Sequence, residues 1–366
     1  MQKMKNPFFL LTVAMVFLSC QQMGEEGGSL FQNKEVCDFQ WEIQAPAGWG
    51  INTIGTIDFE GSIQAFQFVS EQVGYALGSK NVGGYAEAFK TTDGGQTWTN
   101  LNIGFEQHPR SMVFKNENFG LITVHDVTGC PPPNCENRCV ILKTENGGLD
   151  WEEVVYEDLQ GILYHPKFDE EGVLYANLWL DGQTTLMKST DNGVSWDSLF
   201  ASPALDVSLV TFSLDLYKNL LFVTGKDGKL LVVSTQGELV RTIDLQQAVW
   251  DLEIVDENNL VVAGGGEVIK SSDGGQSWER IYDRNGRLIG FDSVDEGLAF
   301  LEKSICPTDV YQVNDVLATT RDGGLSWLEP AETTTNLRSG FVNSQKINPE
   351  SWHFMYGKTL IELREN

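Results

Sequence analysis

The sequence predicts an all-β protein, a closed ring of seven four-stranded antiparallel blades, on three observations. One turn stretch occurs five times: Thr91 to Trp98 (TTDGGQTW), Thr144 to Trp151 (TENGGLDW), Ser189 to Trp196 (STDNGVSW), Ser271 to Trp278 (SSDGGQSW) and Thr320 to Trp327 (TRDGGLSW). The closing tryptophans lie 53, 45, 82 and 49 residues apart, the period of a repeat architecture. Between them run short apolar strands broken by turn residues, and no stretch holds a helical period.

Blade one sets the pattern: Gln64–Phe68, a turn at Glu71–Gly74, Tyr75–Gly78, Ala88–Lys90, the repeated turn, and a last strand from Trp98. The gap of 82 residues is nearly double, so it must hide a degenerate unit. Leu221–Val223, a turn at Lys226–Lys229, Leu230–Val233 and the truncated turn STQGELV supply it, making six units. The seventh comes from the two ends. After Trp327 the chain offers Ser339–Val342, Trp352–Tyr356 and Thr359–Leu363, and then stops. Near the N-terminus Phe39–Ile43 reads as a lone fourth strand, with Trp41 in the place of the turn tryptophan. Sharing the last blade in this way closes a seven-bladed β-propeller and removes two open sheet edges. Six or eight blades are the alternatives.

The repeated turn has a physical reading. Its Asp carboxylate accepts backbone N–H groups a few residues on, its Gly adopts positive φ, and its Trp folds back over the turn. The second copy carries Asn146, which keeps the acceptor oxygen and loses the charge. That suits a turn staple and not a metal site. The stretch resembles the Asp-box, or BNR repeat, of sialidase-like propellers, which implies a place at the blade periphery away from the ligand face.

The first residues read as a signal segment. Lys3 and Lys5 precede an apolar run, Phe8–Leu18, too short to span a bilayer as a helix. It ends in VFLSC, so that Cys20 resembles the lipidated cysteine of bacterial lipoproteins, although Phe17 stands where Leu is usual. The resemblance implies a signal peptide over 1–19, a lipid on Cys20 and a cell-envelope location, at the periplasmic face or the surface of the outer membrane. Ordinary secretion is the alternative. Residues 20–36 read as a flexible polar tether, and residues 37–366 as one propeller domain.

The chain carries 51 Asp and Glu against 25 Lys and Arg, a formal charge of −26. Every acid follows Cys20, so losing Lys3 and Lys5 with the signal segment takes the charge to −28. Such a surface repels nucleic acid and anionic headgroups, leaving the N-terminal lipid as the expected membrane contact. A monomer is expected.

Five cysteines follow Cys20: Cys37, Cys130, Cys135, Cys139 and Cys306. An extracytoplasmic chain permits disulfides. The run CPPPNCENRC lacks the spacing and fourth ligand of a zinc site, so a disulfide-stapled loop is expected and no metal or other cofactor. A Cys37–Cys306 bond would pin the ring closure and leave over one of the clustered three. The residues do not say which.

Two wordings carry a closer resemblance. Val113–Gly120 (VFKNENFG) and Phe291–Ala299 (FDSVDEGLA), each followed by its turn stretch, resemble the repeats of the Ycf48/Hcf136 photosystem II assembly factors. That likeness implies binding or assembly, with no implied photosystem partner. The sialidase RIP arginine motif is absent, and no GxSxG, HExxH or P-loop occurs. The function expected is therefore a binding or assembly module for a protein or glycan. The alternatives are a propeller glycoside hydrolase or lyase and a structural envelope component. An enzyme should show a buried carboxylate cluster with shifted pKa values; a binder should show arginines and aromatics without one.

Candidate ligand residues come from aligning the inner strands. The apolar residues before the first turns are Phe68, Phe114, Phe168, Phe212, Ile254, Phe291 and Val342. Four positions earlier stand Gln64, Arg110, Tyr164, Ser208, Trp250, Arg287 and Arg338. Three of the nine arginines share this register, which predicts a mouth for acidic groups. The other use for such arginines is ordinary pairing with neighbouring acids.

Overall fold

The computed structural model describes residues 45–125, 138–201, 213–224, 228–304, 313–329 and 341–366. They form seven antiparallel sheets, and no helix occurs among them. The inner strands are Gly61–Phe68, His108–Phe114, Ile162–Phe168, Ser213–Tyr217, Asp251–Ile254, Gly286–Phe291 and Phe341–Asn348. Each packs beside the next, and Phe341–Asn348 returns to Gly61–Phe68, so the ring is closed. The expected seven-bladed propeller is the fold.

Apolar residues alternate across each middle strand, so that both faces are covered by neighbouring blades. The core accordingly lies between blades: Leu221 and Val223 of blade four pack with Tyr175 and Leu186 of blade three, and Val261 and Ala263 of blade five with Leu288 and Leu301 of blade six. The degenerate unit is a full blade, with its outer three strands at Leu220–Thr224, Lys229–Ser234 and Leu239–Asp244. Blade six has three strands plus a single bridge between Thr319 and Leu328.

The ring closes through an N-terminal strand, and that strand is Trp49–Thr56, paired with Thr359–Glu365. Residues 39–43, expected in this place, lie outside the described residues. Gly55 is required where it stands: a Cβ there would meet the Gly95 carbonyl oxygen at 2.3 Å. The first strand of blade seven also differs from expectation. It runs Phe341–Asn348 and turns at Ser351, so Val342 lies near its start and not before its turn.

The five repeated turns are staples. In the first, Asp93 accepts the Thr97 N–H at 2.9 Å and its hydroxyl at 2.6 Å, while Thr91 Oγ1 accepts the Gly95 N–H at 2.8 Å. Gly94 and Gly95 sit at φ 71° and 92°. These bonds pull the Asp93 carboxyl down to about 2. In the second copy Asp150 N–H donates to Asn146 Oδ1, and Asn146 Nδ2 donates to the Asp150 carboxylate, both at 2.9 Å. The charge has moved to the other partner.

Candidate ligand-binding mouth

In a four-stranded antiparallel blade, the start of the inner strand and the connection between strands two and three lie at one end of the ring. The repeated turns lie at the other end. Gln64, Arg110, Tyr164, Trp250 and Arg287 therefore lie at the end of the ring opposite the turns. β-Bulges raise two of them: the ladder slips between Ile63 and Ala65 and between Pro109 and Ser111, leaving Gln64 and Arg110 unpaired and exposed.

The Arg110 guanidinium lies 3.1 Å from His125 Nδ1 and hydrogen-bonds the Tyr164 hydroxyl. Burial raises the Tyr164 pKa, with Arg110 opposing. On the other side of the mouth Arg287 stacks over the Phe341 ring at 5.8 Å, and Trp250 is 52% exposed. Arg287 also acts on Asp251, holding its pKa below what burial alone would give. For this arginine, pairing with a neighbouring acid is thus realised in part.

Two blades break the expected register. In blade four the inner strand ends at Tyr217, so Ser213 takes the position assigned to Ser208; Ser208 and Phe212 lie outside the described residues. In blade seven the strand reaches Asn348, so the corresponding residue is Ser344, and Arg338 lies outside the described residues. The reason is chemical. Asn343, Ser344, Gln345 and Lys346 are polar where an apolar strand end was sought, because their side chains bond neighbouring blades. Asn343 accepts the Phe66 N–H at 3.0 Å and donates to its carbonyl at 2.9 Å.

Cys139 is a free thiol buried in the core between blades two and three, and burial pushes it up to about 12. It is therefore not part of a disulfide. Cys20, Cys37, Cys130, Cys135 and Cys306 lie outside the described residues.

Sequence reasoning missed a group of ionisable residues lining the channel below the mouth. Lys167 pairs with Asp215 at 3.1 Å across blades three and four. His165, at φ 51° in a bulge, donates its backbone N–H to Ser111 Oγ at 3.0 Å; burial drives its imidazole down to about 4. Asp251 accepts the Leu288 N–H at 2.9 Å, and Glu253 the Phe291 N–H at 3.4 Å. Both residues are half-buried, and each bonds the inner strand of blade six. Burial raises Asp251 to about 6; burial, with the Asp251 charge adding, raises Glu253 to about 8. The one signal for them was a pair of acids two residues apart in a short apolar strand. Among the described residues, no cluster of His, Cys, Asp and Glu could hold a metal ion.

No family model matches the chain, and no curated protein matches it in sequence. Solved structures do. A YCF48 bound to a D1 peptide aligns with TM-score 0.63 at 16% identity, over 88% of this chain and 99% of that one. The GH74 xyloglucanase of Xanthomonas campestris aligns with TM-score 0.58 at 12% identity, over 85% of this chain and 53% of that one. The WD40 propeller of Doa1 aligns with TM-score 0.58 at 10% identity, over 87% and 97%. At such identities the likeness establishes the fold and leaves activity to the site.

Proposed function

We propose that the protein is a lipid-anchored binding module of the bacterial cell envelope whose mouth takes an acidic segment of a protein partner. The observation that carries the reading is the Arg110 guanidinium held at the rim by Tyr164 and His125, with Arg287 at the same end of the ring. A guanidinium fixed in orientation offers paired donors to a carboxylate. In a chain of formal charge −26 such a rim is the favoured landing place for an anion. The exposed Trp250 adds apolar area for a peptide. The structural neighbour bound to a D1 peptide supports a protein segment over a glycan.

The test uses an array of acidic peptides beside their amide-neutralised copies, read with the wild type and with Arg110→Ala/Arg287→Ala. Loss of two desolvated charge contacts should weaken acidic-peptide binding by roughly 100-fold and flatten its salt dependence. Unchanged affinity and salt slope would place the partner elsewhere.

The Asp251–Glu253 pair is the observation that favours a second reading, a propeller glycoside hydrolase or lyase. Both carboxyls already accept backbone N–H groups of blade six, which ranks that reading below the first. Turnover of a polysaccharide panel that is lost in Asp251→Asn would reverse the order.

A further inference from the structure

Three of the ring's inter-blade contacts use the same device. Gln67 of blade one accepts the Phe114 N–H at 2.7 Å and donates to the Phe114 carbonyl at 2.9 Å. Gln345 of blade seven does the same to Phe68 of blade one, at 2.7 and 2.8 Å. Asn343 does so to Phe66. Each primary amide matches one backbone N–H and one backbone carbonyl. The match works because, in an antiparallel strand, both groups of a residue point to the same side.

Blade five meets blade six in the same way, with acids in place of amides. Glu253 accepts the Phe291 N–H, as Gln67 accepts that of Phe114 and Gln345 that of Phe68. Phe291 is the counterpart of both phenylalanines, the last residue of its inner strand, paired to a glycine. Its carbonyl therefore points to the same side as its N–H, toward Glu253. An ionised carboxylate would set a second acceptor against that carbonyl. A neutral carboxylic acid has one acceptor and one O–H donor, the pattern of a primary amide.

We propose that Glu253 carries its proton in the folded ring and donates it to the Phe291 carbonyl, forming a proton-operated clamp between blades five and six that positions the mouth above it. Deprotonation breaks the O–H···O=C bond and releases the proton to the channel; no other bond changes. The charged groups around Glu253 fit this state. Asp251 stands on its own strand, Asp215 on blade four, Lys167 and His165 on blade three, and Arg287 on blade six, where it attends to Asp251. Beyond Phe291, Lys346 of blade seven is paired with Asp292. The cation that opposes the rise at Glu253, Lys167, is already bound to Asp215, so burial and the two acids prevail.

The clamp has a direct route to the rim. Trp250 precedes Asp251, and Arg287 precedes Leu288, the residue that Asp251 holds. Opening the clamp frees the strand that carries Arg287. This last step rests on the proposed binding role of the mouth; the protonation of Glu253 does not.

The test is made on the full chain. The wild type should lose thermal stability as pH rises through about 8, Glu253→Gln should hold its stability across that window, and Glu253→Ala should be weak at every pH. An identical fall in wild type and Glu253→Gln overturns the proposal. Independently of any variant, the 13C-carboxyl resonance of Glu253 in the wild type should titrate near pH 8; an ordinary carboxyl midpoint overturns the proposal too. Peptide binding separates the two readings. If Glu253→Gln removes the pH dependence of stability and leaves that of binding, the clamp stands and its link to the mouth falls.

Discussion

Gln345 holds both backbone groups of Phe68, which lies 277 residues away in sequence: the Phe68 N–H donates to Oε1 at 2.7 Å, and Nε2 donates to the Phe68 carbonyl at 2.8 Å. One side chain thus joins the last blade to the first along the channel, in addition to the strand pairing of Trp49–Thr56 at the periphery. Gln345→Ala leaves a half-buried N–H and carbonyl without partners, a cost of about 2–4 kcal/mol. Urea unfolding should show it as a lower midpoint with unchanged slope. Gln345→Glu places at this seam the chemistry that Glu253 has at its own, and its midpoint should fall further as pH rises. A flat pH profile in that variant would mean that the amide's donor contributes little.

The repeated turns make a separate prediction about charge. Asp191 accepts the Ser195 N–H at 2.9 Å and its hydroxyl at 2.6 Å, and these bonds hold its carboxyl below the usual range. Asn146 fills the same place in blade two with an amide. Asp191→Asn should therefore lower the melting temperature less than Asp191→Ala, which loses the acceptor as well as the charge. Equal losses would show that the charge alone matters at this turn.

What the sequence made legible follows from what each element must do. The middle strands are covered on both faces, so Leu221–Val223 and Leu230–Val233 announce themselves as apolar runs even where the turn is degenerate. The closing strand Trp49–Thr56 is an outer strand whose residues are half-buried or exposed; Trp49, Ile51 and Ile54 pack against the core. The register shift between Thr53 and Gly55 breaks its alternation, and the more apolar Phe39–Ile43 drew the assignment. Gln64, Arg110, Tyr164, Trp250 and Arg287 fall at one end of the ring because blades one, two, three, five and six keep one register. Blade seven escaped because Asn343 and Gln345 spend polar side chains on the next blade's backbone inside the strand. The Asp251–Glu253 pair escaped because, in a chain with 51 acids, two more mark nothing until the fold encloses them.

The N-terminal reading has its own test. Cells grown with labelled palmitate should incorporate label into the wild type at Cys20 and not into Cys20→Ser, which should leave the membrane fraction. The ring begins beyond the tether, so the variant should melt like the wild type once the lipid is removed. Equal label in both proteins would overturn lipidation at this residue.

Acid stability rests on a histidine. His353 is buried in blade seven, with its ring 5.3 Å from that of Phe68 and its Nδ1 without a hydrogen-bond partner. Burial drives its pKa from 6.5 down to about 4, with Glu362 opposing. A depressed histidine is neutral in the fold and charged in the unfolded chain between those values. The stability it carries is therefore complete above about 6.5 and is lost as pH falls through about 4. The loss amounts to about 3 kcal/mol. Glu253 and Asp251 run the other way, since their raised values favour the fold at low pH and lose that contribution as pH rises through about 8 and about 6. His165 acts with His353 on the acid side. Below pH 6.5 the carboxyls oppose the histidines, and above it only the Glu253 contribution still falls, so each contribution has its own side chain to remove. His353→Gln, which does not titrate, should shallow the fall in urea midpoint between pH 6.5 and pH 4 and leave the alkaline limb unchanged. A variant whose acid limb is as steep as that of the wild type would assign the loss to His165 and to the staple carboxylates of the repeated turns.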